Sequence, residues 1–102
     1  GAKEVIDALA VEIAALAGDG TCDNAEACST VAFGSKPCGG PWSYIIYCAD
    51  TVDEDALHAS VSEHAELEHQ YNIDNAIASD CSEATEPSVE LVDGVCVAVT
   101  GS

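Results

Sequence analysis

The chain has no arginine and only two lysines, whereas aspartate and glutamate together number 19, for a formal net charge of −17 over 102 residues. Nucleic acids bind clusters of Lys and Arg that neutralise their phosphates, so this composition excludes them as partners. Apolar runs are short as well, and none approaches the roughly 18 residues of a membrane-spanning helix. We therefore expect no membrane insertion and no binding to anionic lipid surfaces.

Short motifs that mark common enzymes are also missing. There is no G-x-S-x-G nucleophile elbow and no C-x-x-C pair of the kind that redox enzymes use. The sequence also lacks the C-x2-4-C pairs of zinc sites and the EF-hand calcium loop. We expect no enzymatic activity and no cofactor, with a thiol–disulfide redox protein as an alternative because cysteine is abundant.

Acidic residues lie over a chain that is 48% hydrophobic, so they do not mark a disordered tail. At low salt a charge of this size opposes the compact state by self-repulsion. At about 1 M salt the Debye length falls to about 3 Å and the repulsion is screened. We therefore interpret the composition as halophilic, with an ordinary acidic protein as the alternative.

Cysteine is what the chain has in excess, with six in 102 residues. An even number at this density predicts a disulfide framework formed in an oxidising compartment. Glu4, Asp7 and Glu12 interrupt any apolar region of a signal peptide, so an exported form is expected to have lost its signal. We expect an extracellular or cell-surface protein, and six cysteines allow 15 pairings. The residues expected in disulfides are Cys22, Cys28, Cys38, Cys48, Cys81 and Cys96.

The hydrophobic pattern predicts an α+β fold, a small antiparallel sheet of about four strands with two helices packed on it, as a single domain over residues 1–102. Apolar residues at helical spacing predict a helix over 2–17, ended by Gly18. "STVAFG" and "WSYIIY" predict two strands. Thr51 and Glu54 form a capping box that predicts a second helix from about 52 to 71 or slightly beyond. Asp93-Gly94 between two apolar runs predicts a final hairpin.

The segment "KPCGGPW" concentrates residues that are rare elsewhere in the chain. Its prolines and glycines predict a tight turn between the first two strands. It has two interpretations, a structural corner and a rigid binding loop that presents Lys36 to a partner such as a protease. The second makes the chain a monomeric, protease-inhibitor-like binding module, although Pro37 would be awkward next to a scissile bond. The residues of this predicted binding loop are Lys36, Pro37, Gly39, Gly40, Pro41 and Trp42.

A metal-binding or metal-responsive protein is the other alternative. His64 and Glu68 lie four residues apart and so share one face of the second predicted helix. Further ligands would have to come from elsewhere, such as Asp50 or Asp80. We favour a structural histidine that pairs with a buried carboxylate and holds the helix to the sheet or to the turn. No metal site is therefore predicted, with His64 and Glu68 as weak candidates.

The cysteine spacing C-x5-C-x9-C-G-G-P-W-x-Y resembles that of small exported, often lipoprotein-like bacterial domains of uncharacterised function. The resemblance covers residues 22–96 and implies a compact, disulfide-stapled domain without assigning an activity. The family has serine where this chain has Cys48, so Cys48 is expected to complete an added bridge, with Cys38 as the suggested partner. The later motifs that carry the resemblance are Leu67-Glu68, Tyr71-Asn72, Ser79-Asp80-Cys81, Pro87 and Gly94-Val95-Cys96.

Overall fold

Two helices and four strands account for most of the residues that the computed structural model describes, which are 1–78 and 81–99. The expected order of elements and the α+β, disulfide-stapled class are confirmed, with the four strands divided between two antiparallel hairpins. Within these described residues, neither helix is long and apolar enough to span a membrane. The elements are α1 (Ala2–Ala17), β1 (Cys28–Phe33), β2 (Ser43–Cys48), α2 (Glu54–Asp74), β3 (Ser88–Val92) and β4 (Val95–Val99).

The β1–β2 hairpin forms the middle layer, because successive side chains of β2 point to opposite faces. Ile45 and Tyr47 pack with the buried residues of the two helices. Ile46 and Cys48 pack on the other side, with the residues that join the β1–β2 and β3–β4 hairpins. The three layers are therefore the helices, the β1–β2 hairpin and the β3–β4 hairpin.

Helix α1 has the predicted bounds and ends at Gly18, whose positive φ of 71° suits glycine. The second helix begins later than the capping box predicts. Asp53, not Thr51, is its N-cap, and the Asp53 carboxylate accepts the N–H of Ala56 at 3.1 Å. Aspartate caps a helix as well as threonine does, and the Thr51 hydroxyl instead donates to the Cys48 carbonyl.

The predicted hairpin at Asp93-Gly94 is confirmed, and both residues have positive φ, as a type I′ turn requires. Backbone hydrogen bonds attach this hairpin to the segment before β1: Cys22 N–H donates to Gly94 O and Cys96 N–H donates to Gly20 O. The β3–β4 hairpin is therefore held to the rest of the fold at its turn end.

All six cysteines form disulfides, as predicted, but the suggested Cys38–Cys48 pair is wrong. The bridges are Cys22–Cys48, Cys28–Cys96 and Cys38–Cys81. Cys48 ends β2, whereas Cys38 lies in the loop before β2, so the length of the strand, about 16 Å at 3.3 Å per residue, separates them. A disulfide needs Cα atoms within about 7 Å. Three disulfides in a small domain are compatible with an extracellular protein.

Candidate binding site at the loop 34–42

The loop 34–42 joins β1 to β2 and is closed by its own backbone. Trp42 N–H donates to Phe33 O at 3.0 Å, which extends the hairpin by one bond. Within the loop, Lys36 N–H donates to Gly40 O and Gly39 N–H donates to Lys36 O, both at 2.9 Å. Gly39 and Gly40 have φ of 102° and 80°, which other residues rarely adopt. The predicted tight turn is therefore confirmed.

Helix α2 fixes the start of this loop through two polar side chains. The Glu68 carboxylate accepts the N–H of Ser35, and the Asn72 amide donates to the Ser35 carbonyl at 2.8 Å. Only glycine fits at position 34, between Trp42 and Glu68, because a Cβ there would lie 2.7 Å from Trp42 Cδ1 and 3.1 Å from Glu68 Oε1. Asn72 is 8% exposed, so this anchor is part of the protein interior.

Lys36 is buried, with 7% of its surface exposed, so it is not presented to a partner as the binding-loop interpretation predicts. Its ammonium donates to the Ser82 carbonyl at 2.7 Å and lies 5.1 Å from the centre of the Trp42 ring. The Cys38–Cys81 bridge brings Ser82 to this position. A buried cation needs such partners because its desolvation is costly. Lys36 therefore connects the loop to the segment after Cys81.

Trp42 is the large side chain that the loop does present, with 47% of its surface exposed. Gly39 and Gly40 are also exposed, and Pro37 and Pro41 are half-buried. Exposed tryptophan on a fixed backbone is typical of recognition surfaces, because it offers a large contact area at low entropic cost. We call Gly39, Gly40, Pro41 and Trp42 the tip of the loop.

A pocket of about 260 Å³ lies beside the tip. The Cys38–Cys81 bridge forms part of its wall and holds the segment 81–84 against the loop. Its lining includes Tyr44, an aromatic residue with a hydroxyl, and the acidic residue Glu83. The lining residues are Cys38, Gly39, Gly40, Pro41, Tyr44, Cys81, Glu83 and Ala84.

The two weak metal candidates are used to hold the fold together. His64 is 3% exposed and stacks on Phe33, with ring centres 4.6 Å apart, while its Nδ1 has no hydrogen-bond partner. Glu68 is engaged by Ser35. The expected pairing of His64 with a buried carboxylate is therefore wrong: His64 contacts β1 through Phe33, and Glu68 separately holds the turn. Asp50 is exposed, and Asp80 and Ser79 lie outside the described residues.

Across residues 1–78 and 81–99, the grouping of potential ligands close enough to share one ion is Cys22, Cys28 and Cys96. Their sulfurs lie within 4.8 Å of one another, but each belongs to a disulfide. Metal binding there would require a reductant first, because the thiolate is the ligand. The oxidised cluster acts as apolar packing between the two hairpins.

A buried tyrosine forms a polar cluster that the sequence did not indicate. Tyr47 is 1% exposed, its hydroxyl donates to Glu54 Oε2 at 2.7 Å, and it lies 3.0 Å from His58 Nε2. Burial, together with the Glu54 carboxylate, raises the pKa of Tyr47 to about 12. Glu54 and His58 are four residues apart on α2, which is the one sequence signal for the cluster.

Replacing Tyr47 by phenylalanine is expected to reduce the loss of stability at alkaline pH. The folded-state pKa is raised above the ordinary value near 10, so Tyr47 stabilises the fold below pH 10 and this contribution disappears as pH rises through about 12. Chemical denaturation between pH 7 and pH 12 would measure it. Tyr47→Phe should lower the free energy of unfolding by about 1 kcal/mol at neutral pH. It should also reduce the loss of that free energy as the pH rises to 12. If Tyr47→Phe and the control Tyr71→Phe lose the same free energy of unfolding at alkaline pH, Tyr47 is not the group responsible.

No family model, curated protein or solved structure matches this chain. The resemblance to small exported bacterial domains therefore stays a prediction. The geometry of the loop 34–42 and its pocket carries the functional interpretation.

Proposed function

We propose that the chain is a binding module of the extracellular space, and that the tip of the loop 34–42 is its recognition surface. One observation supports this proposal most directly. Ser35, Lys36 and Cys38 are each fixed to other parts of the fold, while Trp42 stays half exposed. A loop ordered before binding loses less conformational entropy when a partner docks. Such a loop favours recognition over catalysis.

The proposed partner is a protease. Because Lys36 is buried, we propose Trp42 as the residue that contacts the enzyme. Protease inhibitors of this kind present a rigid loop whose exposed side chain enters the specificity pocket of the enzyme. A chymotrypsin-like enzyme has a hydrophobic slot at that position, which suits tryptophan. Ser43 follows Trp42, so the proline that follows Lys36 does not obstruct this position.

Inhibition assays against chymotrypsin-like and trypsin-like proteases at about 1 M NaCl, where charge effects are screened, would test the proposal. We expect inhibition of the chymotrypsin-like class. Trp42→Ala should raise the inhibition constant at least about 30-fold, as loss of a central aromatic contact does. Val11→Ala, which shortens an exposed apolar residue of α1, is the matched control and should leave the constant unchanged.

Two results would count against the proposal. One is the absence of inhibition or a stable complex with every protease tested. The other is rapid digestion of the folded protein at the loop 34–42, because a fixed loop resists the local unfolding that cleavage requires.

The setting proposed for this module is salt-rich, and its proposed state is a monomer. The charge of −17 supports the salt-rich setting, since it needs screening, whereas the monomer stays a prediction from the sequence. The resemblance to exported bacterial domains agrees with the location but adds no activity.

A further inference from the structure

We propose that the pocket beside the tip is a subsite for a positively charged side chain, lysine or arginine, of the bound partner. This inference rests on the proposed binding function. It specifies which type of side chain the partner would place in the pocket. An acidic residue, an aromatic residue and two glycines line the pocket together: Glu83, Tyr44, Gly39 and Gly40.

The size of the pocket limits its occupant to about one side chain. Pockets for drug-sized ligands have volumes of roughly 300–1,000 Å³, whereas this one has about 260 Å³. Its floor and walls are fixed, because Tyr44 belongs to β2 and Cys38 is bridged to Cys81. A partner would therefore insert a single residue here while its neighbouring surface covers the tip.

The polar groups of the pocket favour a cation. Within residues 1–78 and 81–99, the Glu83 carboxylate and the Tyr44 hydroxyl make no hydrogen bond or ion pair. A carboxylate accepts charge-assisted hydrogen bonds from guanidinium or ammonium groups, and an aromatic ring attracts cations to its face. An anionic residue would be repelled by Glu83. Lys36 lies in the same loop, but its ammonium is engaged by the Ser82 carbonyl.

The charge of the whole molecule points to the same kind of partner. Of the two lysines, Lys36 is buried and Lys3 is paired with Asp7 at 3.4 Å on the surface. At low salt, an approaching protein therefore meets a strongly negative potential, which speeds association with a basic partner and disfavours an acidic one; at high salt this preference acts only at contact distance. The pocket would provide one defined binding position for a basic side chain of such a partner.

The test uses a short peptide, acetyl-Gly-Arg-Gly-amide, and its citrulline analogue, which keeps the shape of arginine without the charge. Each is titrated into the ¹⁵N-labelled protein at the lowest salt concentration that keeps the fold, because salt screens the interaction. We expect the arginine peptide to shift the amide signals of Gly39, Gly40, Tyr44 and Ala84, and the citrulline peptide to leave them in place.

The variant Glu83→Gln should weaken binding of the arginine peptide about threefold to fivefold, as loss of an exposed charge pair does. Glu66→Gln, at an exposed position of α2, removes the same charge elsewhere and should leave the affinity unchanged. Equal shifts with both peptides, no shifts at the pocket, or equal effects of the two variants would overturn the proposal.

The outcome can be separated from that of the protease assays. If Trp42→Ala abolishes inhibition but the arginine peptide leaves the pocket amides in place, the module binds its partner and the subsite proposal is wrong. If the pocket binds the arginine peptide with the Glu83 dependence but no protease is inhibited, the subsite stands and the protease proposal fails.

Discussion

Removal of the Cys28–Cys96 disulfide is expected to lower the free energy of unfolding by at least about 4 kcal/mol. The bridge spans 68 residues, and closing a chain segment of that length in the unfolded state is worth about 4 kcal/mol. Both sulfurs are also buried, so their packing is lost as well. A small domain has only about 5–15 kcal/mol in total. The double variant Cys28→Ala/Cys96→Ala, measured by urea denaturation, should therefore be close to unfolded at physiological temperature.

The matched control is Cys38→Ala/Cys81→Ala, which removes a bridge between two exposed residues. Hydrogen exchange, measured at a low temperature at which both variants are still folded, should distinguish them. Loss of Cys28–Cys96 should expose the amides of the β3–β4 hairpin, which this bridge ties to β1. Loss of Cys38–Cys81 should expose the loop 34–42 and leave the hairpin protected. Equal protection of β3 and β4 in both variants would show that Cys28–Cys96 does not hold the hairpin.

Salt is expected to stabilise the fold strongly. Raising NaCl from about 0.1 M to about 1 M shortens the Debye length from about 10 Å to about 3 Å and screens the repulsion among the acidic residues. Few favourable pairs are screened in return, because both ion pairs among the described residues, Lys3–Asp7 and the N-terminus with Glu4, are exposed and worth little. A gain of about 2 kcal/mol would raise Tm by roughly 10 °C, which calorimetry would detect.

A variant with fewer acids separates charge screening from other effects of salt. Glu12 and Glu63 line the same groove between α1 and α2, and Glu66 is exposed on α2. Replacing all three by glutamine removes three negative charges, so Tm at low salt should rise and its dependence on salt should weaken. A Tm that stays flat or falls with salt in the original chain would contradict the halophilic interpretation.

The elements of the fold could be predicted because their signals are local. Residues 2–17 show the spacing of one helix face, and Asp93-Gly94 marks a hairpin by turn chemistry alone. The division into two hairpins also had a signal, since consecutive Ile45 and Ile46 are apolar on both faces of β2. A strand buried on both faces must be covered by two layers.

The details of the candidate site could not be predicted because they depend on contacts between distant residues. The buried Lys36 donates to Ser82, which the Cys38–Cys81 bridge places beside it, and that bridge was one of 15 possible pairings. The roles of Glu68 and Asn72 likewise require the packing of α2 against the loop. The sequence predicts the turn at residues 36–42, but it does not predict that Trp42, and not Lys36, is the large side chain that the loop exposes.

The most direct test of the central claim, a binding loop fixed in advance, is the backbone order parameter of the loop 34–42 in the free protein. Hydrogen bonds and a disulfide hold Ser35, Lys36 and Cys38, so ¹⁵N relaxation should give values near those of β1 and β2, about 0.85. Values below about 0.6 at Lys36, Gly39 and Trp42 would show a flexible loop and would contradict the proposed mode of binding.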